Sequence, residues 1–129
     1  RDLQQEFGMA LILVTHDLGV VARVATHVAV MYAGRLVETG TVREVFGAPS
    51  HPYTRGLLRS IPVPGRTRPG EPLGTIPGQV PGLVGDVFGC AFRNRCDHAA
   101  EACAGAIPER LLGGNHRMAC ILETIGSPQ

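Results

Sequence analysis

Lysine is absent from this 129-residue chain; all twelve basic residues are arginine. A phosphate-binding P-loop uses a lysine to reach the β- and γ-phosphates, so none is contained here. Schiff-base catalysis falls on the same ground. Long apolar runs are also missing. None approaches the roughly 20 residues of a membrane helix, and the N-terminus has no basic-then-apolar leader. Charge imbalance is slight: a formal net charge of +1 leaves no electrostatic footprint for nucleic acid or an anionic membrane surface. Cysteine is missing from the first 89 residues and then appears four times, at Cys90, Cys96, Cys103 and Cys120.

What is present bounds one modest core, with 44% hydrophobic residues. The chain reads as cytosolic, where thiols stay reduced. It opens on Arg1 inside a helix-like stretch and is expected to be a piece of a longer protein. Residues 1–7 read as the end of a helix capped by Gly8. The run Ala10-Leu11-Ile12-Leu13-Val14 is apolar without alternation, as in a strand buried on both faces of a parallel sheet. Its partners are not supplied by this chain. A helix with apolar positions 18, 20, 21, 24 and 25 is expected to start near Asp17, which suits an N-cap.

Residues 27–33 and 35–39 predict a hairpin joined at Gly34. Thr41 and Glu44 have capping-box spacing for a short helix over 42–46. Ser50-His51-Pro52 predicts a further helix to about Ser60, with proline in its first turn. Arg55 and Arg59 on that helix read as a solvated stripe. Residues 61–89 hold six Pro and seven Gly, too many for a helix or central strand. A short helix is expected around 98–104, then a frayed tail.

The cysteine spacing, C-x5-C-x6-C-x16-C, leaves several readings open: an iron–sulfur cluster, a structural zinc, disulfides or free thiols. Zinc sites favour close C-x2–4-C pairs, which are absent, and wider spacing suits a larger cubane. His98 and His116 are candidate zinc ligands or neighbours of the centre. Arg93, Arg95 and Arg117 could offset the charge of four thiolates.

Several stretches carry a family resemblance. Leu11-Ile12-Leu13-Val14-Thr15-His16-Asp17 looks like the switch-histidine region of ABC transporter ATP-binding subunits, and residues 27–40 resemble the hairpin that follows it. His51-Pro52-Tyr53-Thr54 resembles the HPY motif of oligopeptide/dipeptide-type importers, a branch that includes nickel uptake. Residues 89–96, Cys103, Pro108 and His116-x-x-x-Cys120 complete that branch's C-terminal extension.

The resemblance implies an α/β fold: the C-terminal part of a P-loop ABC ATPase domain with an incomplete sheet, followed by a small irregular cysteine-rich extension. It divides the chain into ATPase part (1–48), HPY helix (49–61), Pro/Gly-rich connection (62–88), four-cysteine segment (89–123) and tail (124–129). It implies His16 as the catalytic residue that contacts the ATP γ-phosphate, and Cys90, Cys96, Cys103 and Cys120 as ligands of a 4Fe–4S cluster. ATP and Mg would be cofactors of the intact subunit. Implied partners are a second ATP-binding subunit, transmembrane permease subunits and, indirectly, a substrate-binding protein, at the cytoplasmic face of a bacterial or archaeal membrane. Walker A, signature and Walker B motifs are expected upstream, so this piece alone should not hydrolyse ATP. The competing reading is a stand-alone iron–sulfur or zinc module.

Overall fold

The structure, a computed structural model, describes residues 6–61, 74–80, 82 and 88–123. Gly8 stands at φ 59°, the left-handed geometry of a helix stop, after helical residues 6 and 7. Helix α1 spans Leu18–Val24. Its N-cap is Asp17, whose carboxylate accepts the Val20 N–H at 3.0 Å, and Thr15 Oγ1 accepts the Asp17 N–H at 3.0 Å.

Residues 10–14 form no strand. Ile12 and Val14 are 90% and 93% exposed, and the segment pairs with nothing among the described residues. A strand's hydrogen bonds come from its neighbours, so strand composition without neighbours yields only an open apolar segment.

Strands β1 (His27–Tyr32) and β2 (Arg35–Thr41) form the expected hairpin. Its two-residue turn has Ala33 at φ 48° and Gly34 at φ 76°, the positive-φ pair that matches strand twist. Alternation buries Val30 and Tyr32 on one face of β1. Helix α2 (Val42–Gly47) opens with the expected capping box: Glu44 Oε2 accepts the Thr41 N–H at 2.8 Å, and Thr41 Oγ1 accepts the Glu44 N–H at 3.2 Å. Helix α3 (Pro52–Arg59) begins at proline, whose missing N–H costs nothing in a first turn.

Past the connection, two short 3₁₀ turns, Arg93–Arg95 and Glu101–Ala104, carry the cysteine segment. The second replaces the helix expected around 98–104. A hairpin of β3 (Glu109–Gly113) and β4 (His116–Ala119) follows, unforeseen in the sequence. β4 also pairs with β2, Glu38 opposite Met118 and Thr39 opposite Arg117, which gives one antiparallel sheet in the order β1-β2-β4-β3. The extension is therefore less irregular than expected, and its last strand completes the sheet begun by the first hairpin. The described parts of the Pro/Gly-rich stretch contain no helix or strand; the rest of it and the tail at 124–129 lie outside the described residues.

The core gathers Val30, Tyr32, Val37, Val45 and Phe92, with Tyr53, Leu57, Ile76, Cys90 and Cys96 packed against it. Tyr32, Tyr53 and Phe92 form a three-ring cluster with centroids 4.6, 5.2 and 5.4 Å apart. Edge and tilted contacts of this kind add about 0.5–1.5 kcal/mol per pair to the area buried. One ring comes from β1, one from α3 and one from the cysteine segment, so the cluster binds the three parts together.

Candidate functional site

His16 sits at a bend directly before α1 and is exposed. Asp17, beside it, is occupied as the helix cap and has no catalytic geometry of its own. The placement leaves the imidazole at the carboxyl end of the apolar segment, open to a ligand.

The four cysteines are spread over thirty residues of sequence. Cys90 and Cys96 are half-buried, Cys103 and Cys120 are buried, and all four are free thiols. The Cys90 N–H donates to the Cys103 carbonyl at 2.8 Å, which ties the first turn to the second. Gly89, at φ 80°, permits that approach: a Cβ there would stand 2.5 Å from the Cys103 oxygen.

Burial pushes the thiols of Cys90, Cys96 and Cys120 above the usual cysteine range. Backbone N–H groups aimed at sulfur oppose this: those of Phe92 and Arg93 on Cys90, His98 on Cys96, and Leu122 and Ile121 on Cys120. The Ala100 N–H lies 3.5 Å from Cys103 Sγ. The charges of neighbouring cysteines add to the rise at Cys90, Cys96 and Cys120.

N–H donors on every sulfur are the environment that a thiolate centre requires. The donor set thus fits a four-thiolate group in its chemistry. Among the described residues, however, no three His, Cys, Asp or Glu side chains are grouped so as to hold a metal ion.

The charged neighbours differ from those expected. His116 is buried with Nε2 2.6 Å from Glu38 Oε1, so it faces the sheet's carboxylate, whereas His98 is exposed. Arg117 pairs with Glu109 at 3.6 Å, and Arg93 donates to the Phe88 carbonyl at 3.0 Å. Arg95 donates to the carbonyls of Pro77 and Ile76, both at 2.7 Å, and to the Tyr32 hydroxyl at 3.3 Å. Arg110 works against the rise at Cys120, and its guanidinium donates to the Cys120 and Ile121 carbonyls at 3.2 and 3.3 Å. Its position on a strand unforeseen in the sequence concealed it.

Glu38 is the other residue that sequence reasoning missed. It is buried, and its carboxylate accepts the Ser50 N–H at 2.8 Å, the His51 N–H at 2.9 Å and His116 Nε2 at 2.6 Å. One side chain of β2 thus holds the start of α3 and the start of β4. His51 in turn caps α3, its Nδ1 accepting the Tyr53 N–H at 3.1 Å, which puts the ring proton on Nε2. Burial holds His51 down to about 4, with Glu38 acting the opposite way. Its Nε2 and Thr54 Oγ1 are buried without a partner among the described residues.

Comparison with known proteins places these features in one family. The family described as the oligopeptide/dipeptide transporter C-terminal region matches residues 37–103. A Brucella ovis protein provisionally named a peptide import ATP-binding protein is 57% identical over 112 residues, 84% of this chain and 33% of that protein. The oligopeptide transport ATP-binding protein OppD of Salmonella typhimurium is 45% identical over 120 residues, 93% of this chain and 35% of its own. A Brucella abortus protein with the same provisional name is 42% identical over 122 residues, 95% of this chain and 36% of its own. The chain spans about a third of the length of these relatives, and by the extent of the family match it belongs to the oligopeptide/dipeptide transporter C-terminal region family.

Proposed function

We propose that this chain is the C-terminal part of the ATP-binding subunit of an ABC importer, with peptides as the solute class. The observation that carries it is the similarity of nearly the whole chain to ATP-binding proteins of peptide import, since a match over 95% of the residues takes in both His16 and Cys120. Dipeptides or nickel are narrower alternatives within the same branch. The intact subunit would bind ATP and Mg and pair with a second ATP-binding subunit. It would sit under permease subunits at the cytoplasmic face, and a binding protein would deliver the solute. No described helix is long and apolar enough to cross a membrane.

In this reading the exposed His16 hydrogen-bonds the γ-phosphate and orients the attacking water; positioning and charge stabilisation are most of the work in phosphoryl transfer. Cys90, Cys96, Cys103 and Cys120 would hold a 4Fe–4S cluster, which when bound would cross-link the two 3₁₀ turns to the end of β4 and could carry one electron. The N–H donors on sulfur support that assignment; Arg110 would offset part of the negative charge.

His16→Ala in the intact subunit is expected to abolish hydrolysis and leave ATP affinity unchanged; equal loss of both would mean that the histidine has another role. Anaerobic purification should give about four irons per chain and broad visible absorption, both lost in Cys96→Ser. One zinc and no iron would replace the cluster with a zinc site. A stand-alone metal module is not favoured, because β4 is paired to β2 and the cysteine segment shares the hairpin's core.

A further inference from the structure

A cleft of about 190 Å³ lies between α3, residues 74–77 and the first 3₁₀ turn. Its lining includes neither His16 nor any of the four cysteines; Arg95 and His98, which the sequence suggested as neighbours of the cysteine centre, face this cleft. Three arginines line it, Arg55, Arg59 and Arg95, with Asp97 the one acidic residue of the lining.

The cleft is built. Arg95 fastens residues 76 and 77 through its two 2.7 Å bonds to their carbonyls. Gly56 allows α3 to approach that wall, since a Cβ there would meet Ile76 at 2.9 Å. Arg55 is held by the Pro49 carbonyl at 2.8 Å. Arg59, one turn further along α3, has no hydrogen bond or ion pair among the described residues. Burial and then the charge of Arg59 both lower Arg55 below the usual arginine range, while Glu38 opposes them.

Holding like charges together in a concavity costs free energy unless an anion enters. Three cations less one carboxylate leave two positive charges, which match a phosphate dianion better than a single carboxylate. A guanidinium with its fork open is the geometry that takes two phosphate oxygens at once.

We propose that this cleft binds a phosphate group, free in solution or carried by an anionic lipid, with Arg59 as its contact. The test uses the intact subunit saturated with nucleotide, so that its own phosphate site is filled. Inorganic phosphate is titrated against chloride at constant ionic strength, following the Nε–H resonances of Arg55 and Arg95, which line the same cleft and are present in every variant. A parallel arm measures binding to vesicles containing phosphatidic acid, whose phosphomonoester headgroup can carry two charges, against phosphatidylcholine vesicles. Arg23→Gln on α1 serves as a control that removes the same charge elsewhere.

Wild type and Arg23→Gln should show a saturable response in one arm, weakened about tenfold in Arg59→Gln. Response to phosphate identifies a free anion; response to vesicles alone identifies the lipid headgroup. If Arg59→Gln and Arg23→Gln behave alike in both arms, or chloride gives the same resonance shift as phosphate, the proposal is overturned.

Discussion

Replacing Glu38 by alanine removes one buried acceptor pair from three donors: two backbone N–H groups and the His116 ring. Each buried donor left unpaired costs about 1–3 kcal/mol, so a bare sum runs to about 3–9 kcal/mol. Water entering the space and local relaxation reduce this. About 4 kcal/mol is therefore the expected loss. Against a total stability of about 5–15 kcal/mol, that is a large fraction.

Glu38→Gln separates charge from shape. Its carbonyl can still accept from Ser50 and His116 at the Oε1 position, but its amide N–H₂ would then face the His51 N–H. Loss of one bond and a donor–donor contact should cost about 2 kcal/mol. Urea unfolding of the intact subunit reads the stabilities, and amide hydrogen exchange across Ser50 and His51 reads the site. If the alanine variant lies within about 1 kcal/mol of wild type, or those amides keep their protection, Glu38 is not the hub that its geometry describes.

Other consequences concern single positions. His51 is held down to about 4 in the fold against 6.5 as the ordinary value. Between those values the unfolded chain binds a proton that the folded chain does not, so stability falls as pH drops from 6.5 towards 4. At about 1.4 kcal/mol per pH unit the loss is about 3 kcal/mol, and urea unfolding should show this fall between pH 6.5 and 4 in wild type and not in His51→Asn. Glu44, lowered first by the Thr41 N–H, adds its own acid sensitivity only below 4.5. Gly89→Ala should destabilise by about 2–4 kcal/mol, because the new Cβ meets the Cys103 carbonyl and the left-handed backbone disfavours any side chain; normal thermal stability would contradict it. Ala33→Asn should raise stability by about 0.5–1 kcal/mol in thermal unfolding, since Asn tolerates the turn's positive φ better.

Local chemistry carried the legible part of the fold. The Thr41–Glu44 box, the Pro52 helix start, the Asp17 cap and the hairpin turn each depend on residues within a few positions, and each appears where its pattern lies. The β2–β4 pairing depends on two segments almost eighty residues apart, one only four residues long, and such a strand has too little alternation to declare itself. Gly113-Gly114-Asn115 between two short runs was the available turn signal. Glu38 was hidden for a related reason: nothing in an isolated strand sequence distinguishes an acid facing water from one facing three donors. The run at 10–14 shows the converse, a composition that specifies burial without specifying what does the burying. The four cysteines stand out in the sequence by number and spacing, whereas the N–H groups beside them and Arg110 come from turns and a strand that only the fold brings together.

The pairing of β4 with β2 also constrains the order in which the molecule can be finished. The first hairpin emerges ahead of β4 during synthesis, so one edge of β2 and the acceptor oxygens of Glu38 must wait for residues 116–119 before they are satisfied. Until then an unpaired strand edge stands open to any other chain in the cell. The family's recognised region stops at residue 103, short of that closing strand. A truncation drawn at that boundary would keep three of the four cysteines and the whole HPY helix, yet leave the sheet unlatched.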